Sequence, residues 1–208
     1  MAKNLQIRFL SLIGANAAIF LILGCSATTL LAQEKKDLTI SLSSGILNSP
    51  YYTKANAKEF YGIDFGYQLG KRHILSANYL SGQHTYFDDR LSNTPGSGIY
   101  SDGTNSKAAY RTFSVLYKYQ VVKLAAISLV PGVGAGIMTH TRSYPYQEPG
   151  SSYTRISSWA DLVFPVTLDL NFKVTRKWQA GLTSGFLIHP DYPILALHAG
   201  PKVSYTIK

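Results

Sequence analysis

Between Trp159 and Lys173 every second residue is apolar: Ala160, Leu162, Phe164, Val166, Leu168, Leu170 and Phe172. The alternate register carries Asp161, Thr167, Asp169, Asn171 and Lys173. Side chains on a strand alternate faces, so this pattern predicts a strand with one greasy face and one largely polar face. A soluble strand typically has about 5–6 residues, and the alternation here continues for more than twice that. Two aspartates and an asparagine in one row need water or polar partners. A wall with lipid on one side and a polar lumen on the other meets both demands.

The N-terminus has the form of an export signal. Lys3 and Arg8 are followed by a mostly apolar run from Phe9 to Leu31, and Ala32-Gln33, with Leu30 three positions back, offers a cleavage site. An uncleaved anchor is the alternative, since the run nearly reaches spanning length. Its Gly, Asn, Ser and Thr content and the charges after Gln33 favour cleavage. Cys25, the one cysteine in the chain, follows Ile22-Leu23-Gly24 in a lipoprotein-like context. Leucine before the Gly-Cys pair fits lipidation poorly, so Cys25 is expected to leave with the signal peptide, residues 1–32. The remaining domain, 33–208, has the length of one domain. Removing Lys3 and Arg8 from 20 basic and 11 acidic residues leaves a balance of +7. In an exported chain this points to anionic lipid head groups and away from nucleic acid.

Seven further alternating segments accompany the first. Leu38, Ile40 and Leu42 oppose Thr39, Ser41 and Ser43. Tyr61, Ile63, Phe65, Tyr67 and Leu69 oppose Gly62, Asp64, Gly66 and Gln68. A less regular segment covers 73–86. Phe113, Val115, Tyr117 and Tyr119 oppose Thr112, Ser114 and Lys118 in the segment 108–120. Ile127, Leu129, Val133, Ala135 and Ile137 then lead to about Thr141. After the opening stretch come Trp178, Ala180, Leu182, Phe186 and Ile188, and finally Leu195, Leu197, Ala199, Val203, Tyr205 and Ile207 against His198 and Lys202. The expected fold is therefore all-β: an eight-stranded antiparallel up-and-down transmembrane β-barrel.

The connections alternate. LNSPYYTKANAK, the polar run from Asp88 to Lys107, and SYPYQEPGSSY read as long loops, and HPDYP as a moderate one. Gly70–Arg72, Val121–Lys123 and Val174–Lys177 read as tight turns. Bacterial barrels place short turns in the periplasm and longer loops outside. Tyr117, Tyr119, Phe172, Trp178 and Tyr205 gather near the tight turns. Tyr51, Tyr52, Tyr86, Tyr110, Tyr144 and Tyr153 gather near the loops, which predicts two interfacial girdles. Pro131, Pro165 and Pro201 interrupt the pattern, because proline donates nothing to a ladder. A bulge or local break is expected at the height of Pro131 and Pro165.

The export junction, the turn-to-strand segments LGKRHILSANYL and VTRKWQAGLTSGF, and the closing HAGPKVSYTIK resemble the small eight-stranded outer-membrane barrels of the OmpA/OmpX-like group. In style they are most similar to the outer-membrane β-barrel domain proteins of Bacteroidetes. The resemblance covers 38–208 and implies an outer-membrane location, a monomer, lipid and lipopolysaccharide as surroundings, and barrel-insertion machinery as a partner in biogenesis. Such barrels usually end in an aromatic residue; this chain ends in Ile207-Lys208, with Tyr205 the nearest ring.

An eight-stranded barrel has an interior filled by side chains. The polar lumen set is Asp64, Lys118, Asp161, Asp169, His198 and Lys202, which predicts a paired plug. A narrow solute pore is the second reading, because several glycines also face inward. A lipid A acyl-chain enzyme is the third. It needs a nucleophile, base and orienting acid in contact, and His140 with Ser143, or His84 with Asp88, supplies no third member by spacing. No catalytic role, cofactor or metal site is expected: the five histidines lack ligand-like spacing and no glycine-rich phosphate loop is present. Lys107, Arg111, Arg142 and Arg155, with Arg90, are expected on the outer rim, where arginine forks suit lipopolysaccharide phosphates.

Overall fold

The computed structural model describes residues 37–52, 54–86, 106–148 and 151–207. The expected signal peptide, Cys25, Asp88 and Arg90 lie outside the described residues. The strands are β1 (Leu38–Asn48), β2 (Asn56–Gln68), β3 (His73–Tyr86), β4 (Ser106–Tyr119), β5 (Val122–Lys123), β6 (Ile127–Glu148), β7 (Ser151–Lys173), β8 (Trp178–His189) and β9 (Tyr192–Ile207). All ladders are antiparallel. β1 pairs with both β2 and β9, and β4 pairs with β6, so eight strands close on themselves. β5 is a two-residue ribbon folded back on Ser128 and Leu129. Closure pairs every strand with a neighbour on both sides along most of its length, the condition for a sheet in lipid.

The outer face is apolar where the alternation places it. Leu42, Ile46, Phe113, Ile137 and Leu162 are 56% to 62% exposed. Water would penalise so much apolar surface, and a bilayer favours it. The band ends in the next row up, where Arg111 pairs with Thr139 and Thr139 with Ala160. Above that row Thr141 and Ser158 share a hydroxyl hydrogen bond of 3.0 Å.

The long-loop, short-turn alternation is not carried by loop length. SYPYQEPGSSY is ladder, not loop: β6 and β7 pair from Ile127↔Phe172 up to Glu148↔Ser151. HPDYP contracts to the two residues between His189 and Tyr192, whereas the Val121–Lys123 connection widens to 120–126. Tyrosine, serine and threonine between the turn formers let the backbone keep pairing through Pro145, which pairs with Thr154 at the hairpin tip.

The prolines fall where a ladder lapses. β6–β7 pairing stops between Val133↔Val166 and Gly136↔Val163, opposite Pro165, then resumes in unchanged register. β1–β9 pairing lapses in the same manner opposite Pro201, between Ser43↔Lys202 and Ile46↔Ala199. Pro131 pairs with Leu168, yet on its other side the β4–β6 ladder begins only at Gly132. The expected break is thus present at Pro165, and Pro131 sits at a ladder end. True register shifts occur elsewhere, at Ala57/Phe60 and at Leu187/His189. The second one corrects the reading of Leu195. With the register slipped, Leu195 and Ala196 are both buried and Leu195 does not face lipid.

Candidate functional site: the lumen and its two mouths

In the half of the lumen nearer the tight turns, Lys118 of β4 reaches across the barrel. Its Nζ donates to Asp64 Oδ2 at 3.0 Å and to Asp169 Oδ2 at 3.0 Å. Lys202 Nζ donates to the same Asp169 oxygen at 2.7 Å, and Thr183 Oγ1 donates to Asp169 Oδ1 at 2.7 Å. Gly132 makes the crossing possible: a Cβ there would lie 2.7 Å from Lys118 Cγ and from Thr167 Oγ1. Four members of the expected plug are therefore one network of buried, mutually compensated charges. Asp161 and His198 are not in it. Asp161 is 38% exposed at the side chain and faces His189 Nε2 at 3.4 Å, nearer the loop end. His198 packs edge-on to Phe60, with ring centroids 5.2 Å apart.

The half nearer the loops is built mainly around apolar side chains. Leu47, Phe60, Leu80, Met138, Val163, Leu187 and Leu195 form a buried apolar core inside the barrel. Above it His84, Tyr110 and His140 stack from neighbouring strands, with centroid separations of 5.4 and 4.7 Å. Trp159 extends the row, 4.3 Å from His140. Tyr52, from the β1–β2 connection, covers the row: its ring is 4.2 Å from Tyr86 and its hydroxyl 3.3 Å from His140 Nε2. Tyr86 and Tyr110, expected in a lipid-facing girdle, are thus lumen residues. The signal was available, since Tyr110 shares the parity of Ser114 and Lys118. The lower girdle is real: Tyr117 and Trp178 are exposed, and Trp178 packs on Tyr205 at 4.9 Å.

Arg142, expected on the outer rim, turns inward with the parity of His140. Its guanidinium lies 5.1 Å from the Tyr52 ring centroid and 4.9 Å from that of Trp159. Burial pushes the Tyr52 phenol above its ordinary range, and the Arg142 charge pulls the other way. Lys107 and Arg111 do face outward, paired with Thr85 and Ser81 of β3. Beside Lys107 a groove of about 240 Å³ opens, with Lys58 on its other flank. The bulge at Ala57/Phe60 lies in the same part of β2. Arg155 is exposed on the upper hairpin, opposite Tyr144. Ser143 has the opposite parity to His140, so the two do not form a catalytic pair.

Space inside the barrel is uneven. A cavity of about 270 Å³ opens at the tight-turn mouth and reaches the lysine–aspartate network. Around the network it narrows to about 20 Å³.

This geometry defines an eight-stranded antiparallel β-barrel of the outer-membrane class. No protein-family model matches the sequence, and comparison with curated proteins gives no match. Among solved structures the chain is similar to a major outer membrane protein from Thermus thermophilus, with a TM-score of 0.57 at 10% identity over 84% of this chain and 100% of that one. It is also similar to Ail, the attachment invasion locus protein of Yersinia pestis, in complex with the heparin analogue sucrose octasulfate. There the TM-score is 0.53 at 10% identity, again over 84% of this chain and 100% of that one. At these identities the likeness is one of fold.

Proposed function

We propose that this protein is a non-catalytic outer-membrane barrel, inserted as a monomer after loss of its signal peptide, that presents one hairpin for binding at the cell surface. The observation that carries the reading is the edge of β7. β8 pairs with β7 only from Phe164 downward. From Thr154 to Val163, β7 has β6 on one side and no ladder partner on the other among the described residues. Arg155, Ile156, Ser157 and Ser158 are exposed along that edge. An unpaired strand of this length is a template for an extended segment of a partner, with main-chain hydrogen bonds supplying affinity. Against catalysis stand the histidines themselves: His84 and His140 are wedged between aromatic rings, and Ser143 faces the other way. Against conduction stands the apolar upper lumen. The resemblance to Bacteroidetes-type barrel domains adds a lineage, resting on the export junction, the turn-to-strand segments and the closing HAGPKVSYTIK.

Replacing residues 144–155 with Asn-Gly tests the reading. The shortened barrel is expected to keep its gel shift between unboiled and boiled samples and to lose capture by an immobilised array of alternating polar–apolar peptides. Equal capture by both proteins overturns it. Within the same proposal, Lys107 and Arg111 hold lipopolysaccharide phosphates. Four residues along a strand span about 13 Å, enough to reach separate head groups. Their joint replacement by alanine is expected to reduce co-purifying lipopolysaccharide in native mass spectra, and unchanged lipid in a folded barrel removes the site.

A further inference from the structure

The tight-turn mouth has a charge pattern that the reading above does not use. The described turns at this end carry Lys71, Arg72, Lys123, Lys173, Arg176 and Lys177, all exposed. They divide into two sets. Lys123, Lys173 and Arg176 line the 270 Å³ cavity, whereas Lys71, Arg72 and Lys177 lie outside it. Lys177 instead sits over the Tyr205 ring on the outer wall, 6.0 Å from its centroid. Only the first set lines the cavity, Lys123 with its Nζ also donating to the Lys71 carbonyl at 3.3 Å.

The floor of that space is also cationic in part. Lys118 and Lys202 line it together with Asp64 and Asp169. Lys118 spends two donors on the two carboxylates, and Lys202 spends one on Asp169. Asp37 is the one other acid in the lining, so cations outnumber carboxylates by two. Between rim and floor the wall is hydroxyl and amide: Thr39, Ser41, Gln68, Gln120, Gln179 and Thr206. Hydroxyl and amide N–H groups donate to oxyanions as lysine and arginine do. The cavity does not continue as a channel, because the space beyond it falls to about 20 Å³. A blind, water-accessible recess with surplus positive charge and many donors concentrates anions, since low-dielectric walls focus the field.

We infer that the tight-turn mouth, periplasmic in barrels of this class, is a binding recess for a small multivalent oxyanion carrying phosphate or carboxylate groups. Lys123, Lys173 and Arg176 hold the anion at the rim, and Lys202 faces it from below. Such groups could come from a free solute or from a phospholipid head group folded under the rim. A free solute fits better, because the three rim cations line the inside of the mouth and the lipid-side cation, Lys177, is already engaged with Tyr205.

The probes are inorganic tripolyphosphate and citrate, titrated calorimetrically into the refolded full-length barrel in non-ionic detergent. Binding that weakens at least tenfold in Lys123→Gln/Lys173→Gln/Arg176→Gln, and by less than twofold in Lys71→Gln/Arg72→Gln, is the expected result. All five positions are exposed turn or strand-end residues, and the gel shift on boiling confirms that each variant is folded. A second arm uses nanodiscs with and without phosphatidylglycerol. Competition by that lipid with tripolyphosphate assigns the recess to head groups, and no competition assigns it to a solute. Equal weakening in both variants means a diffuse basic rim and overturns the proposal. So does the absence of measurable binding by the unmodified protein at low ionic strength.

Discussion

The two halves of the lumen are walled by the same strands, yet they are filled by opposite chemistry. Near the tight turns, Asp64, Lys118, Asp169 and Lys202 compensate one another across the barrel. Near the loops, Leu47, Phe60, Met138 and Val163 pack as a soluble protein's core would, under a lid of stacked rings. Water explains the division. The ionic half adjoins the 270 Å³ cavity, where charge and its remaining donors meet solvent. The apolar core borders no part of that cavity among the described residues, and its side chains pack closely. Inward parity therefore states where a residue points, not whether that place is wet.

The largest test of this contrast is Asp169→Ala. It strips Lys118 and Lys202 of a shared partner, and a broken buried pair typically costs about 3–5 kcal/mol. Urea unfolding in micelles, followed by the gel shift on boiling, reads the loss. Replacing Asp64, Lys118, Asp169 and Lys202 together with leucine and methionine is expected to be neutral or stabilising by comparison. A quadruple variant as unstable as the single one would mean that the ionic half is not self-compensating.

Met138→Ala examines the other half. It opens a hole in a packed apolar core, for a cost of about 2–5 kcal/mol on the same assay. A cost near zero would show that the loop half is loosely filled. The smallest effect is expected from Arg142→Met, which keeps much of the stem's packing and removes the charge between Tyr52 and Trp159. Cation–π contacts contribute about 0.5–2 kcal/mol according to burial. The intrinsic tryptophan emission of Trp159 is expected to shift with the loss, against the background of Trp178. No change in emission would place the guanidinium elsewhere.

Much of this arrangement was legible in the sequence, and the failures have physical causes. Strand faces were readable because a period of two is unambiguous over long segments; all seven apolar residues from Ala160 to Phe172 point outward. The ionic network was readable as a set of inward charges, though its membership was not: Asp161 and Asp169 share parity but sit at different heights. The split lumen was missed because the rings of Tyr86 and Tyr110 were assigned by distance from the loops instead of by face. The projecting hairpin was missed because Pro145, Pro149 and Gly150 look like loop. Leu195 was misplaced by the register shift between Leu187 and His189, where the adjacent Leu195 and Ala196 are both buried, and which leaves no mark in the alternation. The unpaired edge of β7 follows from strand lengths that differ between neighbours, a property of pairing that no local pattern encodes.

The lapse opposite Pro201 has a consequence for the order of assembly. Most ladders join strands that are neighbours in sequence; Glu59 and Gln83, which meet across β2 and β3, are 24 residues apart. β1 and β9 join the two ends of the barrel domain, with Thr39 and Thr206 separated by 167 residues. Loop-closure entropy makes that long-range join costlier than a hairpin by roughly 2 kcal/mol. The latch is also where backbones crowd most. A Cβ on Gly200 would lie 1.9 Å from the Ser44 carbonyl oxygen, and one on Gly45 would lie 2.2 Å from that of Ala199. Two glycines facing each other across the seam let the first strand and the last approach closely enough to shut. A methyl group at either place would leave the hairpins formed and the cylinder ajar, with two bare edges in the bilayer and only another open copy to cover them.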